Sequence, residues 1–526
     1  MEDKKIKNKK IKNKKIKNKK ILNILLYFVF VILMNVSFFT KLLKDSNPNK
    51  KWIVIYWVLS TFVTILIGGL VYLINKKKTL KPEKVFVVCA IFLELTYMFA
   101  TPLFKGHDEQ YQWYRDYEIS MGKLSTVKFD EFTGNYLPAD VGNIYAYDGL
   151  FQDITYSKAL ATWRYSIQTR NNKELKELVA VDTSPTLSYS PLQVLPQSIG
   201  VFVARRLGFD IYSQAMIGRL FNVMFFIIMG YFIIKVMPNK KYLFMAILFS
   251  PKVLYLSSTL SSDNIINMTI MLFLANILKL RHEGEPLKLK NYLFFACTLP
   301  VIAMSKFVYI PVCGLLLLIP KQCFKNGKRK VAFLGGATLL ALASFLWWKV
   351  VGKVSFSGSQ PYMAEQLTYC MHHPIAYLGI LIRSVCDNFS YWALDTVGGY
   401  MQWGRDLVQP EIVSVLVYGV MFLALIQDEE DNNFKVWEKI WIALIVLATS
   451  AGIITAMYTA CVPDIGATYI DGVQGKYFVP ILGLMFLLIP MKNIKFKNKF
   501  DEKYIVISML LFQVPSLLNI FVANIK

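Results

Sequence analysis

Apolar runs of about 20 residues recur along most of the chain, and lysine-rich connectors such as NKKKTLKPEK, RHEGEPLKLK and KQCFKNGKRK separate them. A helix of that length crosses the roughly 30 Å hydrocarbon layer of a bilayer. Apart from a closed barrel, only a helix satisfies its own backbone there. The overall balance agrees: 55% of residues are hydrophobic, 18% are charged, and mean hydropathy is +0.41. These features predict an all-α polytopic membrane protein rather than a soluble domain. The formal charge of +24 does not point to nucleic acid, because residues 1–20 alone hold eleven lysines against two acids. Basic connectors in a membrane protein mark the cytoplasmic side instead. The KKIKN repeats of residues 1–21 predict a disordered cytoplasmic tail resting on anionic lipid. The first apolar run has no small-residue cleavage site after it, so it is expected to stay as an anchor. A multi-pass protein of the cell membrane, with its N-terminus in the cytoplasm, follows.

With the tail inside, spans near 22–43, 52–74 and 85–103 carry the chain across, and the two within 22–84 precede the region richest in polar motifs. Residues 104–190 then lie on the extracytoplasmic face, and so long and aromatic a segment is more than a connector. Two helices are expected in it, DEQYQWYRDYEIS and YSKALATWRYSIQTRNNKELKEL, the second lying along the membrane interface. Residues 190–207 are apolar enough to cross but are short and contain Pro191 and Pro196. If they crossed, the later basic loops could not all face the cytoplasm, so a juxtamembrane helix is predicted. Further spans are expected near 213–236, 241–257, 264–280, 291–304, 307–320, 330–350, 411–427, 437–458, 476–490 and 504–522, for a total near thirteen. The resulting divisions are a core over 85–350 with an outer loop at 104–207, a second outer loop at 351–410, and C-terminal helices over 411–526.

The densest cluster of polar and aromatic side chains is TPLFKGHDEQYQWYRDYEISMG, at 101–122. Asp108 and Glu109 stand there at the hydrocarbon edge, where a carboxylate pair is costly unless it meets water or a cation. Either could serve as a general base, and the plainer alternative is an ion pair with Arg115. The same expected face gathers Arg115, Arg219, Asp263, Lys306 and Lys476, with Asp387, Arg383 and Arg405 from the second outer loop. Asp263 could orient a substrate or, with Asp108, contribute to a divalent-cation site that the pattern does not require. Its alternative is to cap the helix that begins at Asn264. Lys306, between two short apolar runs, suits a phosphate, or snorkels to the interface. The seven cysteines and four histidines show no metal-binding spacing. No Walker loop, HExxH or GxSxG is present, which argues against an ATPase, a zincin or a serine hydrolase.

GHDEQYQWYRDYEISMGKL, YSPLQVLPQSIG, GRLFN, SSDN, MSKFVYIP and GVQGKYFVPIL follow one another over roughly residues 85–490. In that order they resemble the bacterial membrane proteins grouped as domain of unknown function 2142. The plan also resembles the C-type (GT-C) fold of glycosyltransferases that use polyprenyl-phosphate-linked sugars. That resemblance implies a GT-C-like fold with extracytoplasmic juxtamembrane helices. Asp108 would be the catalytic base with Glu109 beside it, Asp263 the second outer acid, and Lys306 the phosphate-facing lysine. As an enzyme of this kind, the chain would use Arg219 and Lys476 with Lys306 to stabilise the departing lipid phosphate. The family pattern has Pro before the acidic pair and His after it, where this chain has His107 and Gln112. The implied activity is transfer of a sugar from a polyprenyl-phosphate donor to a cell-envelope glycan on the extracytoplasmic face. The rival is a transporter or flippase of lipid-linked saccharides, whose charges would gather near mid-membrane.

Overall fold

The computed structural model describes residues 24–44, 49–76, 81–142, 144, 154–186, 188–352, 361–401, 409–427, 434–490 and 500–525. The lysine-rich tail and Arg405 lie outside the described residues. The chain opens with three helices, α1 (Ile24–Lys44), α2 (Lys50–Lys76) and α3 (Pro82–Ala100), the last with proline at its first position. After a sharp turn come α4 (Glu109–Ser120), β1 (Val127–Lys128), β2 (Thr133–Pro138), the short α5 (Ala139–Gly142), α6 (Tyr156–Gln168) and β3 (Leu178–Asp182). Next are α7 (Leu195–Arg206), α8 (Ile211–Val236), α9 (Lys241–Leu248), α10 (Pro251–Ser257), α11 (Asp263–Glu283) and α12 (Leu289–Met304). A 3-10 helix at Phe307–Leu318 leads to α13 (Gly327–Val351), α14 (Pro361–His372) and α15 (Pro374–Thr396). The chain ends with α16 (Glu411–Gln427), α17 (Val436–Cys461), a 3-10 turn at Gly475–Tyr477, α18 (Val479–Leu487) and α19 (Lys503–Asn524).

Among the described residues seven helices, α1, α2, α8, α11, α13, α17 and α19, are long and apolar enough to cross a membrane unaided, where thirteen spans are expected. The remaining apolar runs fall short for local reasons. In α3, Glu83, Lys84 and Glu94 interrupt the hydropathy. The run at 241–257 breaks into α9 and α10 at Ser250, where Pro251 cannot continue the ladder. The run after Lys306 contains Pro311 and winds as a 3-10 helix. At about 2.0 Å per residue its twelve residues reach about 24 Å, where an α-helix would reach about 18 Å. Its end returns beside the start of α12, since the Leu287 amide donates to the Cys323 carbonyl at 2.9 Å. The segment is therefore the second arm of a hairpin with Lys306 at its tip. Helix α7 has twelve residues, or about 18 Å, too short to cross.

Helices in lipid associate through close packing rather than through a hydrophobic drive, so small residues mark their crossings. Gly230 on α8 lies against the Phe86 ring of α3, and Gly200 on α7 lies against Phe221 and the Ile217 carbonyl of α8. Asp210 caps α8 by accepting the Ser213 amide at 3.1 Å. It also accepts Ser166 Oγ at 2.9 Å, which pins α6 to the same point. One end of the bundle is closed by Arg281 with Glu438 at 2.9 Å and by Lys240 with the Leu425 carbonyl at 3.1 Å. At the other end lie α4 to α7 and a three-stranded antiparallel sheet, β1-β2-β3, whose pairs include Val127 with Gly134 and Gly134 with Asp182. This small sheet is an addition to an otherwise mostly helical fold. It rests on a second apolar core of Trp113, Tyr117, Leu137, Val181, Val201 and Leu260.

Candidate functional site

The turn between α3 and α4 is built around Arg219. Its guanidinium is fully buried and grips both oxygens of Glu109 at 2.7 Å. Its remaining hydrogens go to the carbonyls of Met98 (3.1 Å), Thr101 (2.7 Å) and Pro102 (3.0 Å). Glu109 in turn accepts the amides of Gly106 at 3.1 Å and Leu260 at 2.9 Å. A buried pair whose hydrogen bonds are this fully satisfied locks three chain segments together. It leaves neither partner free for a reacting group. The catalytic role expected for Glu109 and the phosphate role expected for Arg219 therefore find no opening in this geometry. Arg115 is also turned inward, to Glu118 at 2.6 Å, the Tyr189 carbonyl at 3.1 Å and the face of Trp348. It does not bridge Asp108, and it meets the site only through the Tyr189 backbone.

The clamp forces Asp108 into the left-handed region, with φ of 55°. Its side chain stays 35% exposed and its Oδ2 lies 3.4 Å from Lys476 Nζ. Lys476, 2% exposed, also lies 3.5 Å from Asp263 Oδ2, and the other oxygen of Asp263 holds Lys306 Nζ at 2.6 Å. Four charges of alternating sign thus run from Asp108 through Lys476 and Asp263 to Lys306. They come from the start of α4, the turn before α18, the first residue of α11 and the tip of the α12 hairpin. The alternative role for Asp263, capping the helix, is not taken up, because Ser262 occupies that position and the Asp263 side chain is spent on the two lysines. The ring of Tyr477 lies 4.6 Å from Lys306 Nζ and that of Tyr189 5.9 Å, within cation–π reach. Gln112 accepts the Ser262 amide at 2.6 Å, and Asn222 donates to the Thr259 and Ser261 carbonyls, so the turn before Asp263 is held from two sides.

Electrostatics follow from burial and neighbours. For Lys476 burial opposes the charge, but Asp263 and Asp108 outweigh it and hold the ammonium above its ordinary range. For Lys306 burial is the larger influence and pulls the ammonium down against the attraction of Asp263. His107 is pushed well below its usual 6.5, first by burial and then by Lys252 and Lys476. The site is a line of ion pairs at turns and helix ends, with Asp108 and Lys306 as its more exposed charges. It can draw an anionic group toward the lysines and a hydroxyl toward Asp108. Among the described residues no group of three or more metal-ligating side chains forms.

Arg383 and Asp387 lie exposed on α15. Sequence did not single out Lys252, Asp395 or Tyr189. A lysine within the apolar run at 241–257 was an available signal. Asp395 and Tyr189 gave none.

The family of predicted membrane proteins called domain of unknown function 2142 matches over residues 91–485. The chain belongs to that family. The match begins inside α3 and ends inside α18, so the family region takes in Asp108, Asp263, Lys306 and Lys476, and α1, α2 and α19 lie outside it. No curated protein and no solved structure matches the chain.

Proposed function

We propose that this member of the family is a membrane-embedded glycosyltransferase that moves a sugar from a polyprenyl-phosphate donor to a cell-envelope glycan on the extracytoplasmic face. The observation that carries this is the line Asp108–Lys476–Asp263–Lys306, gathered at helix ends from four distant parts of the chain. Lys306 and Lys476 would hold the departing lipid phosphate, as preformed charges stabilise a leaving group without reorganising. Asp108 would take the proton of the acceptor hydroxyl. Tyr189 and Tyr477 offer ring faces beside the same lysines. The fold in this reading is GT-C-like, with α4 to α7 as the surface helices above the core. A divalent cation is not required by the residues in place. A transporter would want its charges near mid-membrane. Here Asp263 opens the membrane-length helix α11 and the other three lie in turns beside it. The charges thus stand at an end of the bundle rather than its middle, which favours transfer over a flippase.

The test is a deletion strain complemented with wild type or Asp108→Asn, with envelope glycans profiled. Asparagine tolerates the left-handed backbone at this position, so the variant should fold. A substituent lost on deletion should return with wild type and stay missing with Asp108→Asn. Full restoration by the variant would overturn the assignment of Asp108 as base.

A further inference from the structure

Lys252, the second residue of α10, is fully buried. Its Nζ donates to Asp395 Oδ1 and to the Tyr400 carbonyl, each at 2.6 Å. The other oxygen of Asp395 accepts the Gly475 amide at 2.5 Å, and Thr396 Oγ1 donates to the Gly475 carbonyl at 3.1 Å. Both backbone polar groups of Gly475 are thus held by the last turn of α15. A Cβ at Gly475 would stand 2.3 Å from the Thr396 nitrogen and 2.6 Å from the Trp392 carbonyl oxygen, so the two backbones meet with no space for a side chain. The next residue is Lys476, whose ammonium lies between Asp108 and Asp263. A buried ion pair is on average no more stabilising than an apolar pair of the same volume, so this one is better explained by what it positions.

We propose that Lys252 and Asp395 are positioning residues that anchor Gly475 and thereby hold the Lys476 ammonium between Asp108 and Asp263. Asp395 spans the gap with its two oxygens, one on the lysine and one on the amide. Lys252 neutralises that carboxylate and brings in the turn at Tyr400. The use of Lys476 for phosphate rests on the proposed function, whereas the anchoring itself does not.

The test labels the full-length protein in detergent with a water-soluble amine-acylating reagent and reads each lysine by mass spectrometry. In wild type, Lys476 should label slowly, while Lys288, with 61% of its side chain exposed, labels readily and serves as the control. Asp395→Ala should raise Lys476 labelling on the order of tenfold, the scale set by losing a hydrogen bond to a buried carboxylate. Lys288 labelling should not change. In Lys252→Met with Asp395→Asn, the asparagine carbonyl can still accept the Gly475 amide with no charge left unpaired, so Lys476 should return close to its wild-type rate. If Asp395→Ala does not fold, Lys252→Met with Asp395→Leu removes the charges together and should expose Lys476 in the same way. Unchanged Lys476 labelling in the folded alanine or leucine variant, or no recovery in the asparagine variant, overturns the inference. Raised labelling with an unaltered glycan profile in cells would leave the anchoring standing and sink the transfer reading.

Discussion

Asp108 and Glu109 are neighbours with the same chemistry, and the backbone separates their tasks. Glu109 enters α4 facing the protein and meets Arg219, while Asp108, with its left-handed φ of 55°, keeps a partly exposed side chain beside Lys476. Glu109→Gln should therefore act on stability, because it leaves a buried guanidinium uncompensated, at about 3 kcal/mol or more. Thermal unfolding in detergent should show a large drop for Glu109→Gln and little change for Asp108→Asn. Equal midpoints for the two would mean the clamp does not hold the turn. His107, beside them, gives a pH dependence. Burial with Lys252 and Lys476 holds it neutral in the native state, whereas the unfolded chain takes up a proton below its usual 6.5. The unfolded state then binds more protons, so stability is full above that value and falls as pH drops below it, by up to about 1.4 kcal/mol per pH unit. His107→Gln should flatten the fall in unfolding midpoint between about pH 7 and about pH 5.5, and an unchanged slope would assign it to other groups.

At the scale of elements, the crossing of α3 and α8 depends on Gly230. A Cβ there would come within 2.2 Å of the Phe86 ring, itself stacked on Phe249 at 5.2 Å and tilted against Phe226 at 5.7 Å. With no room for the ring to yield, Gly230→Ala should cost about 1–3 kcal/mol by overpacking. An unchanged unfolding midpoint would show that α3 shifts freely. The long apolar helices were legible because their signal is local. Residues 411–427 were expected and Glu411–Gln427 is found, and 213–236 became Ile211–Val236. The sheet was not legible, since FTGNYLPADVGN reads as a series of turn residues. Its central strand is defined by pairing with Leu178–Asp182, some forty positions later. The 3-10 arm after Lys306 reads as a short helix, because only the position of Pro311 hints that an α ladder would break.

For the whole molecule, charge placement was the most informative signal. Single charges at the ends of apolar runs are costly unless they meet one another, and this draws Asp108, Asp263, Lys306 and Lys476 to one end of the bundle. The pairing of Lys252 with Asp395 was hidden, because Asp395 sits in an amphipathic helix where a solvated acid is the ordinary expectation. The same logic orients the molecule. The end that holds Arg281 with Glu438 is flanked by the basic connectors RHEGEPLKLK and KQCFKNGKRK, so it should face the cytoplasm and the site the outside. Single cysteines at exposed positions, in a background with the native cysteines replaced by serine, test this directly. Asn171→Cys, between α6 and β3, should react with a membrane-impermeant maleimide on intact cells. Lys290→Cys, at the start of α12, should react only after permeabilisation. The reverse pattern would put Asp108 in the cytoplasm, out of reach of an envelope glycan, and the proposed transfer would fail on topology alone.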